Sequence, residues 1–239
     1  MARRALGISA AAFKLAAQRL VAKRRLCMPR RGFFVIIPLE YASVGATPPS
    51  WFIDELMKFH DAAYYVGLLS AAALHGAAHQ QAQEFQVVTD QLLRPTTAGR
   101  ARLRFFQKRT VAATPITELR TETGTMRVST PEATAFDLVR YADSIGGLNS
   151  IATVLGELGE KLDTRRLAKV AENVELGVVQ RTAFLLERLG HSAKLGSTAR
   201  WVASNHPRPV LLGHRNGITT AVADARWHVV ENEVVEADE

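Results

Sequence analysis

The sequence predicts an α+β protein, with a basic, partly truncated winged helix-turn-helix at the N-terminus followed by a larger mixed α+β domain. Residues 9–38 read SAAAFKLAAQRLVAKRRLCMPRRGFFVIIP, in which a helical run without Gly or Pro passes into two β-type pieces joined by MPRRG. Residues 84–89 and 100–109 have strand composition, and the second alternates arginine with apolar residues. Helices with explicit start signals follow, the clearest being Thr130 with Pro131 and Glu132 just inside. A chain of 239 residues that is 47% apolar is long enough for two unequal domains. We place these at residues 1–40 and 51–239, with 41–50 as a linker of small residues and a Pro pair.

At the N-terminal end, Gly7 supplies a left-handed stop and Ser9 a helix N-cap, so a tight helix-to-helix turn is expected there. At 100° per residue, Phe13, Ala16, Ala17 and Leu20 gather on one side of the next helix, and Ala11, Lys14, Gln18 and Arg25 on the other. The second face suits a nucleic acid. Small alanines permit close approach, Lys14 and Gln18 carry donors for base edges or phosphates, and Arg19, Lys23 and Arg24 can meet the backbone. The hairpin adds two guanidinium groups at its tip, Arg30 and Arg31. The DNA-binding candidates are therefore Ser9, Ala11, Lys14, Gln18, Arg19, Arg25, Arg30 and Arg31. A winged helix begins with one further helix, which this chain is expected to lack, leaving Phe13, Leu20 and Phe33 short of cover.

A formal charge of +7 and a sequence pI near 9.9 suit an anionic partner without identifying one. The single cysteine, Cys27, excludes an internal disulfide framework and a Cys-based zinc site. Lys14, Gln18 and Arg19 interrupt the first apolar run, so no signal-peptide core or membrane span is expected and the protein is placed in the cytoplasm. Ser70 and His75 lack a nucleophile elbow and a following acid, and His75 with His79 is only half a metal site. Neither a phosphate loop nor paired catalytic carboxylates occur, and Gly146-Gly147 is not followed by the D-x-D of a nucleotidyltransferase. Catalytic residues, cofactors and metals are accordingly not expected. Arg100, Arg102 and Arg104 share one face of their strand, as either a solvated ladder or an anion-binding surface.

Elsewhere, helices are expected over 51–60, from residue 61 or 62 to 74, and over 149–160, 163–173 and 178–190. Asp137 and Arg140 are assigned to the surface of the helix that Thr130 caps. Trp201, residues 210–212 and residues 227–230 are assigned to late strands, with 226–236 closing the domain as an edge strand.

The order of basic helix and hairpin, then WFIDELMKF, YYVGLLSAAALHGAAHQQAQEFQVVTD, STPEATAFDLVRYADSIGG and a terminal DARWHVVEN resembles the transcriptional-regulator antitoxins of the AbiEi type along nearly the whole chain. The most specific stretches are residues 65–76 and 130–138. The resemblance implies a winged helix that binds inverted repeats in its own promoter, and a palindromic operator usually takes paired protomers. It also implies a C-terminal domain that counters a nucleotidyltransferase-like toxin without requiring a stable complex with it. From a different class, a metal-dependent nucleic-acid-processing enzyme could hold its substrate on the basic C-terminal domain. That reading requires at least two convergent acids, and the sequence does not single them out.

Overall fold

The computed structural model describes residues 5–77, 83–213 and 222–235. Ser9 caps helix α1 (Ala10–Ala22) by accepting from the Ala12 amide at 3.2 Å. Two antiparallel strands follow, β1 (Leu26–Arg30) and β2 (Phe33–Ile36), with Arg31 and Gly32 as the turn. Gly32 takes φ of 89°, which its missing Cβ makes inexpensive. Pro29, expected in the turn, lies inside β1, where the register is irregular between Cys27 and Arg30; a residue with no N–H is tolerated at such an irregularity.

Short 3₁₀ turns at Leu39–Tyr41 and Pro49–Trp51 lead to α2 (Ile53–Phe59). Residues 61–74 are not one helix. They divide into β3 (Tyr64–Val66) and α3 (Leu68–Leu74), separated by Gly67. Tyr64, Tyr65 and Val66 are buried on both faces of a sheet, which erases the alternation that would mark them as a strand. Next come β4 (Glu84–Thr89), β5 (Thr96–Ala98), β6 (Ala101–Gln107), β7 (Ile116–Thr121) and β8 (Gly124–Ser129). The six form a mixed sheet in the order β5-β6-β4-β3-β8-β7, with β3/β8 and β4/β6 parallel.

Helices α4 (Pro131–Arg140), α5 (Gly147–Lys161), α6 (Thr164–Ala171), α7 (Leu176–Arg188) and α8 (Gly196–Ser204) complete the α+β fold. Thr130 caps α4 as expected, its hydroxyl accepting from the Ala133 amide. Trp201 belongs to α8 rather than to a strand. The late strands reduce to β9 (Val210–Leu211) and β10 (Val229–Val230), which pair with each other in parallel and stand apart from the large sheet. Trp227 is fully buried beside them, and Gln180 donates to the carbonyls of Arg208 and Trp227 at 2.9 and 2.8 Å.

Each face of the large sheet has its own apolar core. Tyr65, Val88 and Phe106 pack with Leu68, Phe136, Leu138, Ile151 and Leu155 of the helical layer. On the opposite face, Tyr64, Val66, Val87, Leu103, Met126 and Val128 pack with Cys27, Val35 and Ile37 of the hairpin region and Phe52, Ile53, Leu56 and Met57 around α2. The small residues 41–50 lie against this second core, with Ala46 and Thr47 buried and Tyr41 edge-on to Trp51.

Gly99, in the turn between β5 and β6, is closely seated in that layer. Its φ is 58°, and a Cβ there would lie 2.5 Å from the Gly45 carbonyl oxygen and 2.7 Å from the Ala46 Cβ. Gly99→Ala should therefore destabilise the protein by roughly 2 kcal/mol through overpacking and left-handed strain. It should also speed reaction of the buried Cys27 thiol, which burial holds in its unreactive protonated form, with a thiol reagent. An unchanged melting temperature together with an unchanged labelling rate would contradict a fixed joint at this turn.

Candidate functional site

The N-terminal basic surface is built on α1 and the hairpin. Only Ala17 of α1 is buried, and Phe13 meets Phe34 edge-on at 5.8 Å between ring centroids. Ser9, Ala11, Lys14, Gln18, Arg19 and Arg25 are all exposed. Leu15 is 54% exposed between these groups, an apolar side chain that sequence reasoning passed over. Of the side expected to be apolar, Leu20 remains 42% exposed.

The helix ends in a Schellman motif: the Arg24 amide donates to Val21 O and the Arg25 amide to Leu20 O. Arg24 occupies the left-handed position of that motif at φ of 52°, where glycine is usual. A left-handed conformation costs a non-glycine residue about 1 kcal/mol.

The two arginines of the hairpin have different roles. Arg31 is exposed in the turn. Arg30 turns back onto the sheet, donating to the Arg94 carbonyl and stacking 5.6 Å from the Phe105 ring centroid, and its burial lowers its pKa. Thr96 reinforces the same junction by donating to the Pro29 carbonyl. Arg30 thus fastens the hairpin to β5 and β6 rather than standing at an open tip.

The arginine strand divides similarly. Arg102 and Arg104 lie 2.9 and 3.5 Å from the Glu84 carboxylate, and Arg104 also stacks 5.0 Å from the Phe106 centroid. Arg100 is exposed on the β5–β6 turn. It lines a concavity of about 470 Å³ with Arg24, Leu26, Cys27, Met28 and Val44.

A second polar centre lies inside the helical layer, and sequence reasoning missed it. Asp137, assigned to the surface of α4, is completely buried. Its carboxylate accepts from the Lys108 ammonium at 2.9 Å and from the Tyr65 hydroxyl at 2.6 Å, and Lys108 donates to Tyr65 at 3.0 Å. Arg140 is also largely withdrawn from the surface, its side chain 16% exposed. Its Nε lies 3.8 Å from Asp137, and its terminal nitrogens make a two-pronged contact with Glu175. Burial first, and then the Asp137 charge, push the Tyr65 hydroxyl well above the usual tyrosine range and Tyr141 up to about 12.

One signal could have located this centre. Arg104, Phe106 and Lys108 share a strand parity, so the alternation in β6 carries Lys108 onto the helix-covered face. The adjoining cavity, lined by Lys108, Thr114 and Asn173 among others, holds about 10 Å³, room for at most one water. The arrangement therefore acts as a satisfied polar tie between β3, the end of β6 and α4.

Ser70 and His75 are likewise engaged with backbone. Ser70 Oγ accepts from the Gln86 amide at 2.9 Å and donates to the Glu84 carbonyl, while His75 Nε2 lies 2.7 Å from the Ser129 carbonyl oxygen. His79 lies outside the described residues. Among the described residues no group of three or more His, Cys, Asp or Glu side chains could hold a metal.

Lys108→Met would leave Asp137 buried with only the Tyr65 hydroxyl and the more distant Arg140, and should cost about 3 kcal/mol in urea denaturation. Adding Asp137→Leu should recover part of that loss, because the uncompensated charge is removed as well. A double variant no more stable than the single one would refute the coupling.

The model of the AbiEi antitoxin C-terminal domain matches residues 65–188, just over half of the chain, and this span holds Tyr65, Lys108 and Asp137. No curated protein matches the sequence significantly. The fold recurs in the crystal structure of the RV2827C protein from Mycobacterium tuberculosis, with a TM-score of 0.64 over 91% of this chain and 78% of that one, at 17% sequence identity. With its matched region spanning β3 to α7, the chain belongs to the AbiEi antitoxin family.

Proposed function

We propose that this antitoxin-family protein represses its own promoter by binding inverted repeats through residues 1–40, and that residues 51–239 counter a nucleotidyltransferase-like toxin. The observation that carries the DNA-binding half is the exposed face of α1. Ala11, Lys14 and Gln18 lie one turn apart on a capped helix that buries only Ala17 of its own length. A helix that spends so little of its surface on its own protein, and places a cation and an amide between small residues, has the chemistry of a major-groove reader. Arg19, Arg25 and Arg31 add point charges for phosphates on the helix and the following turn.

An inverted repeat presents the same half-site twice, so two protomers would occupy one operator. Such a protein works in the cytoplasm, and no helix among the described residues is long and apolar enough to cross a membrane. The toxin-facing role needs no lasting complex; interference with the toxin's product or target would serve as well.

Lys14→Ala combined with Arg31→Ala should weaken binding of the full chain to its promoter fragment and lower the slope of log affinity against log salt by roughly 2, since each lost phosphate contact removes about 0.9 of counterion release. Gln18→Ala should leave that slope unchanged and narrow the preference for the operator over unrelated duplex. Electrophoretic mobility shifts across a salt series measure both effects. An unchanged slope in the double variant would overturn the assignment of this surface.

A further inference from the structure

We propose that the groove between the end of α1 and the β5–β6 turn is a phosphodiester site, in which Arg24 and Arg100 hold the backbone of the same DNA that α1 reads. This inference rests on the DNA-binding reading above and extends the footprint onto the large sheet. The groove has a volume of about 470 Å³, with one arginine from each of the two parts of the chain.

Arg24 sits in the left-handed slot that closes α1, at φ of 52°. Glycine would occupy that slot without strain, and the position instead holds a long cationic side chain that lines the groove. On the facing wall, the contact of Gly99 with Gly45 and Ala46 presses the turn onto the N-terminal layer and so fixes the origin of Arg100.

Charge separates Arg100 from the next two arginines of its strand, because Glu84 holds Arg102 and Arg104. Among the described residues, Arg24 and Arg100 form no ion pair, and no acid lines the groove between them. Two uncompensated guanidinium groups attract a phosphate, and the partly exposed Met28 and Val44 offer apolar surface to the sugar beside it. Arg24 directly follows the last turn of α1, so a strand held on that helix would continue into the groove. An acidic protein segment fits this continuity less well.

The test uses the full chain and a fluorescent promoter duplex, with anisotropy titrations over a potassium chloride series. Arg24→Gly and Arg100→Gln should each weaken binding about threefold to tenfold and reduce the salt slope by about 1. Arg24→Gly should melt no lower than the parent protein, because glycine relieves the left-handed strain, whereas a residue retained for stability would give the opposite result. Parent-like affinity and slope in both variants, with binding still weakened in the Lys14→Ala and Arg31→Ala protein, would overturn the groove while sustaining the reading of α1. The reverse pattern would overturn the reading of α1 and, with it, a footprint shared between α1 and the groove. No binding of the unaltered chain to the duplex would overturn both. Lost neutralisation of the toxin with DNA binding intact in the two groove variants would assign the groove to an acidic protein surface and overturn the proposal.

Discussion

A six-stranded sheet with apolar side chains on both faces must be covered twice, and the rest of the molecule is arranged to meet that requirement. The helical layer covers the face bearing Tyr65, Val88 and Phe106. Tyr64, Val66, Val87, Leu103 and Val128 point the other way, where residues from the hairpin through α2 complete a second core. Removing that cover would expose a contiguous apolar surface in the middle of the protein. The basic N-terminal segment is thus held by the same burial that stabilises the antitoxin-family region, and its hairpin is clamped there by Arg30 and Thr96.

The helical layer adds a different kind of restraint. Lys108, Tyr65 and Asp137 come from three separate elements and satisfy one another in a space too small for bulk water. Such a group contributes little net stability compared with well-packed apolar residues, but it penalises any register in which a partner is displaced. Arg140 and Glu175 extend the restraint to the start of α7, so the end of α4 is anchored on two sides.

Much of this was legible in the sequence where local chemistry decides the outcome. Ser9 and Thr130 announced their helices through side-chain caps, and the alternation of arginine with Leu103 and Phe105 placed β6 and its two faces. Long-range burial concealed the rest. Tyr64 to Val66 reads as part of a helix because a strand covered on both faces has no polar alternation. Asp137 reads as a surface residue because its partner lies 29 positions away, at the end of another strand. At the candidate DNA surface, Lys14, Gln18 and Arg31 were readable as exposed groups, but the inward turn of Arg30 depends on Arg94 and Phe105, which no local pattern connects to the hairpin.

The close seating of Gly99 against Gly45 and Ala46 bears on the DNA recognition proposed above. A reading helix mounted on a rigid body, and not on a tether, has a fixed bearing relative to any partner protomer. B-DNA turns by about 34° per base pair, so one base pair inserted between the halves of an inverted repeat rotates one half-site out of phase with the other. A flexible joint would absorb that rotation, whereas a seated one transmits it to the interface between protomers. In the proposed mode of binding, the spacing of the two half-sites therefore carries as much information as their sequence.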